Sequence, residues 1–346
     1  MNKHLTTLFL LLLSFLLLSY YSTTPQTTEI EMDGLTMGTS YMVKVVASPE
    51  QASPGSQTQL QKEIDALLHR VDKEQMSTYS KTSELSQFNQ YKQKEWFPIS
   101  SELALVVVQS HEIFQQTGGA FDITVGPLVN LWGFGPAKQQ STVPSEAAIA
   151  ECMLLVGQNH VSVRTDPPAL KKDNVDIYCD LSAIAKGFAV DAVAEYLVDA
   201  GFANYLVEIG GEVRAGGTKA NGETWRIGIA TPTQSGGIQK VVHLDNTGMA
   251  TSGDYFNYFE KDGKRYSHTI DPVTGRPITH KLASVTVIHP SCMTADGYAT
   301  AIDVMGPEKG FEFAQERNLA VFMIVRTDKG FVEKLTPEFK ALFKIK

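Results

Sequence analysis

Apolar residues recur at two different periods along this chain, and the two periods alternate irregularly. Leu60, Ile64, Leu67, Leu68 and Val71 fall at three- and four-residue spacing, which predicts an amphipathic helix turning one stripe toward a core. A second helix is predicted from Ser101 to Gln116, ended by Gly118-Gly119, and a third from near Ser182 to Gly201. Ser83-Glu84-Leu85 marks another helix start, and two more are expected near Thr294 and Pro307. Strands are predicted at Tyr41 to Val46, Val175 to Cys179, Tyr205 to Val213, Trp225 to Ala230, Val241 to Leu244, Ala283 to Ile288 and Ala320 to Val325. Strand and helix units of constant length do not repeat, so the expected class is α+β rather than a doubly wound parallel sheet. No fixed-period repeat suggests a solenoid or propeller.

The first residues follow neither period. Lys3 and His4 precede an apolar run from Leu8 to Leu18 broken only by Ser14, the pattern of an export signal or an uncleaved anchor. The run is shorter than the roughly 20 residues a confident membrane span needs. The expected organisation is a signal or anchor over 1–22, a linker over 23–30 and one large domain over 31–346. The expectation is an exported, periplasmic protein, tethered to the inner membrane where the N-terminal segment stays uncleaved.

Composition narrows the picture further. A formal charge of −8 excludes a global positive field for nucleic acid, so an anionic substrate would need a metal or a few local cations. Cys152, Cys179 and Cys292 allow at most one internal bridge, form no CxxC motif, and read as small buried apolar residues. No GxGxxG or P-loop motif is present.

Candidate chemistry concentrates in five segments. In Met37-Gly38-Thr39-Ser40-Tyr41 a glycine ahead of a strand lets backbone approach a ligand, or simply turn. In Met76-Ser77-Thr78-Tyr79 the tyrosine could stack on a planar ring or plug the core. The loop Gly118-Gly119-Ala120-Phe121-Asp122-Ile123-Thr124-Val125-Gly126-Pro127 suits a flat ligand, with Asp122 either an acceptor for it or a turn cap. Asp180-Leu181-Ser182-Ala183-Ile184-Ala185-Lys186-Gly187 sits at a strand-to-helix junction, where Ser182 can cap and free N–H groups favour an anion. There Lys186 would add a mobile positive charge, and Asp180 would accept from a ligand or pair with Lys186. The fifth segment pairs Ser267-His268-Thr269-Ile270-Asp271-Pro272 with Thr294-Ala295-Asp296-Gly297-Tyr298-Ala299-Thr300-Ala301. Asp296 and Thr300, four apart, would offer Mg²⁺ a carboxylate and a hydroxyl from one helix face. His268, with an ordinary pKa of about 6.5, could take a proton from an attacking hydroxyl.

In this order, together with Glu208-Ile209-Gly210-Gly211-Glu212, the segments resemble the ApbE family of flavin transferases, the FAD:protein FMN transferases. The resemblance covers nearly all of the expected domain and implies an α+β fold. It implies Mg²⁺-dependent transfer of FMN from FAD onto a threonine or serine hydroxyl of a target flavoprotein, with release of AMP. Acceptors would be membrane redox-complex subunits with periplasmic loops. By motif position, Met37, Tyr79, Ala120, Phe121, Asp122, Asp180, Lys186 and Ile270 would line the FAD site. Ala183, through its carbonyl, Asp296 and Thr300 would hold Mg²⁺, and His268 would be the base. Two features depart from the family pattern: no cysteine near the leader is available for lipid attachment, and Ala299 stands where some relatives have a further acidic ligand. A Mg²⁺-dependent FAD pyrophosphatase and a non-catalytic exported flavin-binding protein remain as alternatives.

Overall fold

The computed structural model describes residues 27–135, 143–233, 236–253 and 258–342. The leader 1–22 lies outside the described residues. Among those described, no helix is long and apolar enough to cross a membrane.

One eight-stranded antiparallel sheet organises the molecule. Its strands are β1 (Thr28–Thr36), β2 (Thr39–Ala47), β3 (Tyr205–Ile209), β4 (Glu212–Gly216), β5 (Thr247–Gly253), β6 (Leu282–His289), β7 (Ala320–Thr327) and β8 (Gly330–Leu335), and each pairs with the next in chain order. The connections carry α1 (Pro54–His69), α2 (Glu84–Gln90), α3 (Ser101–Gln116), α4 (Gly126–Leu131), α5 (Glu146–Met153) and α6 (Ala185–Asp199). They are followed by α7 (Cys292–Glu316), and α8 (Pro337–Ala341) closes the described chain. This is the α+β arrangement that the irregular alternation predicts.

Side chains alternate across the sheet and build a core on each face. Val207, Val285, Val287, Val321 and Met323 pack with α1, α3, α6 and α7. Leu206, Ile288, Phe322 and Ile324 point the other way, onto the hairpin Trp225–Ala230 with Ile238–Leu244 and onto Phe339 of α8. With both faces covered, β6 is buried almost throughout, Ser284 and Thr286 included. A third cluster, around Leu128, Trp132, Ile149 and Ile270, forms a side lobe. The Trp132 Nε1–H donates to the Gly275 carbonyl at 2.9 Å, tying that lobe to the segment after His268.

Several elements differ from expectation. β1 begins at Thr28, within the span assigned to the linker, because Ile30 and Met32 alternate inward against β2. The predicted strand Tyr205 to Val213 is a hairpin, β3 and β4, folded at Gly210-Gly211. Val175 to Cys179 is not a strand: Val175 and Asp176 lie in a turn closed by the Ile177 N–H on the Asn174 carbonyl at 3.2 Å, and at Cys179 the Asn89 side chain stands in for a ladder partner, Nδ2 donating to the carbonyl and Oδ1 accepting from the N–H, each at 2.8 Å. The expected start near Pro307 corresponds to a break in α7 at Gly306.

Candidate active site

All twelve residues picked out from the sequence line adjoining cavities that form one cleft. The wider part, about 530 Å³, is bordered by Met37, Tyr79, Asp180 and Lys186. A deeper part, about 350 Å³, is bordered by Ala183, Lys186, His268, Ile270, Asp296 and Thr300. Ser182 and Lys186 belong to both. A crevice of about 40 Å³ beside them is walled by Ala120, Phe121, Asp122, Asp180 and Ile270.

Met37 occupies the two-residue turn between β1 and β2, with φ of 50° at Met37 and 77° at Gly38. Such a turn fits the strand twist but is costly for a side chain other than Gly, Asn or Asp, so Met37 is held in strained backbone at the cleft. Its N–H donates to Asp72 Oδ2 at 3.1 Å, which helps fix that geometry. Tyr79 is 69% exposed and therefore presents its ring to the opening rather than plugging the core. Asp122 caps the short turn Ile123–Val125: Oδ1 accepts from Thr124 N at 2.7 Å and Thr124 Oγ1 at 2.6 Å, and Oδ2 from Gln158 N at 3.0 Å. Burial nevertheless holds its carboxyl above the usual range, against those bonds.

At the junction before α6 the capping differs from expectation. Ser182 does not cap the helix; Asp180 Oδ1 accepts from the Ser182 N–H at 2.8 Å, and α6 begins at Ala185 without a side-chain cap. Asp180 and Ser182 thus form the local side-chain-to-backbone turn that an aspartate two residues upstream favours. Lys186 is not a mobile surface charge. Its ammonium is ion-paired with buried Glu212, which sits at the start of β4.

Asp296 is 4% exposed and accepts the Gly187 N–H at 3.0 Å through Oδ2. That contact needs glycine: a Cβ at 187 would fall 2.5 Å from the Cys292 carbonyl oxygen and 2.8 Å from the Asp296 Cβ, so only glycine lets α6 lie this close to α7. Thr300 Oγ1 lies 3.3 Å from Ser252 Oγ. Burial raises the Asp296 carboxyl above its ordinary range, opposed by Lys186 and the Gly187 N–H. Burial likewise pushes Glu212 up to about 8, with Lys186 opposing and Asp296 adding to the rise. For Lys186 burial acts downward, but Glu212 and Asp296 outweigh it and the ammonium is held charged. One ammonium therefore faces two buried carboxyl groups, and their full ionisation leaves a negative surplus that a cation would neutralise.

His268 follows the strand Lys264–Ser267 and stands in the same cavity as Asp296 and Thr300, with the Phe134 ring edge-on at 6.4 Å between centroids. The family model described as the ApbE family matches residues 37–323. This chain belongs to the ApbE family. It is 47% identical over 313 residues to a Vibrio cholerae protein named FAD:protein FMN transferase, covering 90% of this chain and 92% of that one. A Haemophilus influenzae protein of the same name is 46% identical over 326 residues, covering 93% of each. The solved structure of the flavin transferase ApbE from Vibrio cholerae superposes with a TM-score of 0.84 at 44% identity, over 92% of this chain and all of that one. As an ApbE-family member the chain is an enzyme, a transferase.

The donor set of this ApbE-family site fits Mg²⁺. Among the described residues no group of three or more His, Cys, Asp or Glu is arranged to hold a metal. Mg²⁺ does not require one, because it keeps several waters and takes one or two carboxylates together with substrate phosphates. Asp296, Thr300 and Ala183 border one cavity, so a carboxylate, a hydroxyl and a backbone carbonyl are available for that smaller set. Three acidic residues of the cleft were not selected from the sequence: Asp72, Glu212 and Asp303. Asp72 carried a readable signal, since Ile64, Leu68 and Asp72 recur every four residues and the third breaks an apolar stripe.

Proposed function

We propose that this enzyme transfers FMN from FAD onto a threonine or serine hydroxyl of a partner flavoprotein, in a Mg²⁺-dependent reaction that releases AMP. The observation that carries the reading is the placement of His268 in the same cavity as Asp296, Thr300 and Lys186, with the Met37 and Tyr79 cavity adjoining.

Each residue has a definable task. Tyr79 and the Ala120-Phe121 edge offer ring and backbone to the flat flavin, and Lys186 places positive charge at the diphosphate. Asp296, Thr300 and the Ala183 carbonyl would hold Mg²⁺, which when bound neutralises diphosphate charge and polarises the phosphorus. His268 accepts the proton of the acceptor hydroxyl as that oxygen bonds to the FMN phosphorus. The bond from this phosphorus to the bridging oxygen breaks, and AMP leaves with that oxygen. Because phosphoryl-type transfer depends mainly on alignment and charge stabilisation, the wall formed by α6 and α7 contributes more than the base.

The apolar leader supports export, and we propose that the enzyme works in the periplasm, tethered to the inner membrane by residues 1–22. Its acceptors would then be redox subunits with periplasmic loops. Incubation with FAD, Mg²⁺ and such an acceptor should give covalent flavin fluorescence on the acceptor, the mass increase of one FMN, and equimolar AMP. Free FMN without labelled acceptor would instead establish FAD hydrolysis, and unchanged FAD would refute both.

A further inference from the structure

Asp303 is fully buried, seven residues beyond Asp296 and three beyond Thr300, so the three share one face of α7. The same cavity touches all three, along with His268 and Thr269. Two bonds leave Asp303 for the segment that carries His268. Its Oδ2 accepts from Thr269 Oγ1 at 3.1 Å, and its backbone carbonyl lies 2.6 Å from His280 Nε2. The second bond has a backbone origin. In an unbroken helix the Asp303 carbonyl would accept from residue 307, but Pro307 has no N–H, and the helix breaks at Gly306. His280 fills that vacancy.

Between these anchors the segment is closed on itself. The Thr269 N–H donates to Ser267 Oγ at 3.1 Å, and the Ile278 N–H donates to the Thr269 carbonyl at 3.0 Å. Residues 267–280 thus form a closed loop that Asp303 ties at both ends to the helix carrying Asp296 and Thr300, and His268 is the immediate neighbour of Thr269 at the first tie.

We propose that Asp303 is a positioning residue for FMN transfer: it sets the register of His268 against Asp296 and Thr300. This rests on the function proposed above. Asp303 needs no contact with FAD or metal in this role; it fixes where the base stands.

The test compares Asp303→Ala, Asp303→Asn and Thr269→Val with the wild-type enzyme for FAD affinity, kcat and KM of transfer, together with crystal structures of the variants. A displacement of about 1 Å from reactive geometry costs on the order of 10²-fold, so D303A and T269V are expected to lower kcat roughly tenfold or more with FAD affinity nearly unchanged. D303N keeps an oxygen to accept from Thr269 and should restore most of the rate. The double variant D303A/T269V should be no slower than D303A, since both remove one bond. Folded D303A or T269V enzyme with wild-type kcat would overturn the proposal, and so would D303N as slow as D303A. If D303A does not fold, T269V decides alone. Wild-type enzyme without transfer would reject the functional reading, whereas the position of His268 in the T269V crystal still judges this one: an unmoved imidazole overturns it.

Discussion

The Gly187 N–H donates to Asp296 Oδ2 at 3.0 Å, joining α6 to α7 across 109 positions of sequence. This contact places a carboxylate of the proposed metal site against the helix that carries Lys186. Substitution Gly187→Ala would drive a methyl into the Cys292 carbonyl, a backbone atom that moves only if α7 moves. The expected cost is about 1–3 kcal/mol of stability, read by urea denaturation, with Mg²⁺-dependent FAD binding weakened in protein that remains folded. Wild-type stability in G187A would show that the two helices separate freely.

Asp296→Asn and His268→Ala should fail in different ways. Asp296→Asn is expected to remove divalent-cation binding, measured by calorimetry, and transfer with it. His268→Ala should still bind FAD and Mg²⁺ while transfer falls by roughly 10²–10⁴-fold, the usual contribution of a general base. Unaltered Mg²⁺ affinity in D296N would reject Asp296 as a ligand.

The metal-free protein should lose stability as pH rises. Glu212 has its carboxyl raised from the ordinary 4.5 to about 8 by burial, and Asp296 is raised in the same direction. Between those limits Glu212 holds more proton in the folded state than in the unfolded one, so its contribution to stability is fully present below about pH 4.5 and is lost as pH rises toward 8. Lys186, raised from 10.5, titrates above this window. Thermal midpoints in EDTA from pH 5 to 8 should therefore fall, and Glu212→Gln should flatten the slope. A slope of opposite sign would mean both carboxyls are ionised in the folded protein.

Tyr79→Ala isolates flavin contact from folding. Because the ring is 69% exposed, stability should change by no more than about 0.5 kcal/mol. Loss of stacking of about 0.5–1.5 kcal/mol should weaken FAD binding roughly 2- to 10-fold, as read by flavin fluorescence quenching. Unchanged affinity would remove Tyr79 from the site.

What the sequence determined by itself was local. The span Ser101 to Gln116 is legible because its apolar stripe is flanked at once by a serine N-cap, Ser100, and by Gly118-Gly119. The four-residue interval between Asp296 and Thr300 likewise fixes their shared helix face before any packing is known. Edge strand β8 was missed because none of its residues is buried and no inward face shows in the pattern; β1 was given to the linker although Ile30 and Met32 alternate inward, and Val175 to Cys179 was misread because its apolar run hides a turn at Val175-Asp176. The meeting of Lys186, Glu212 and Asp296 was decided only by tertiary structure. Their charges interact because the close crossing of α6 and α7 and the start of β4 exclude water from one small volume. No spacing along the chain encodes that exclusion, since desolvation depends on every element that packs there.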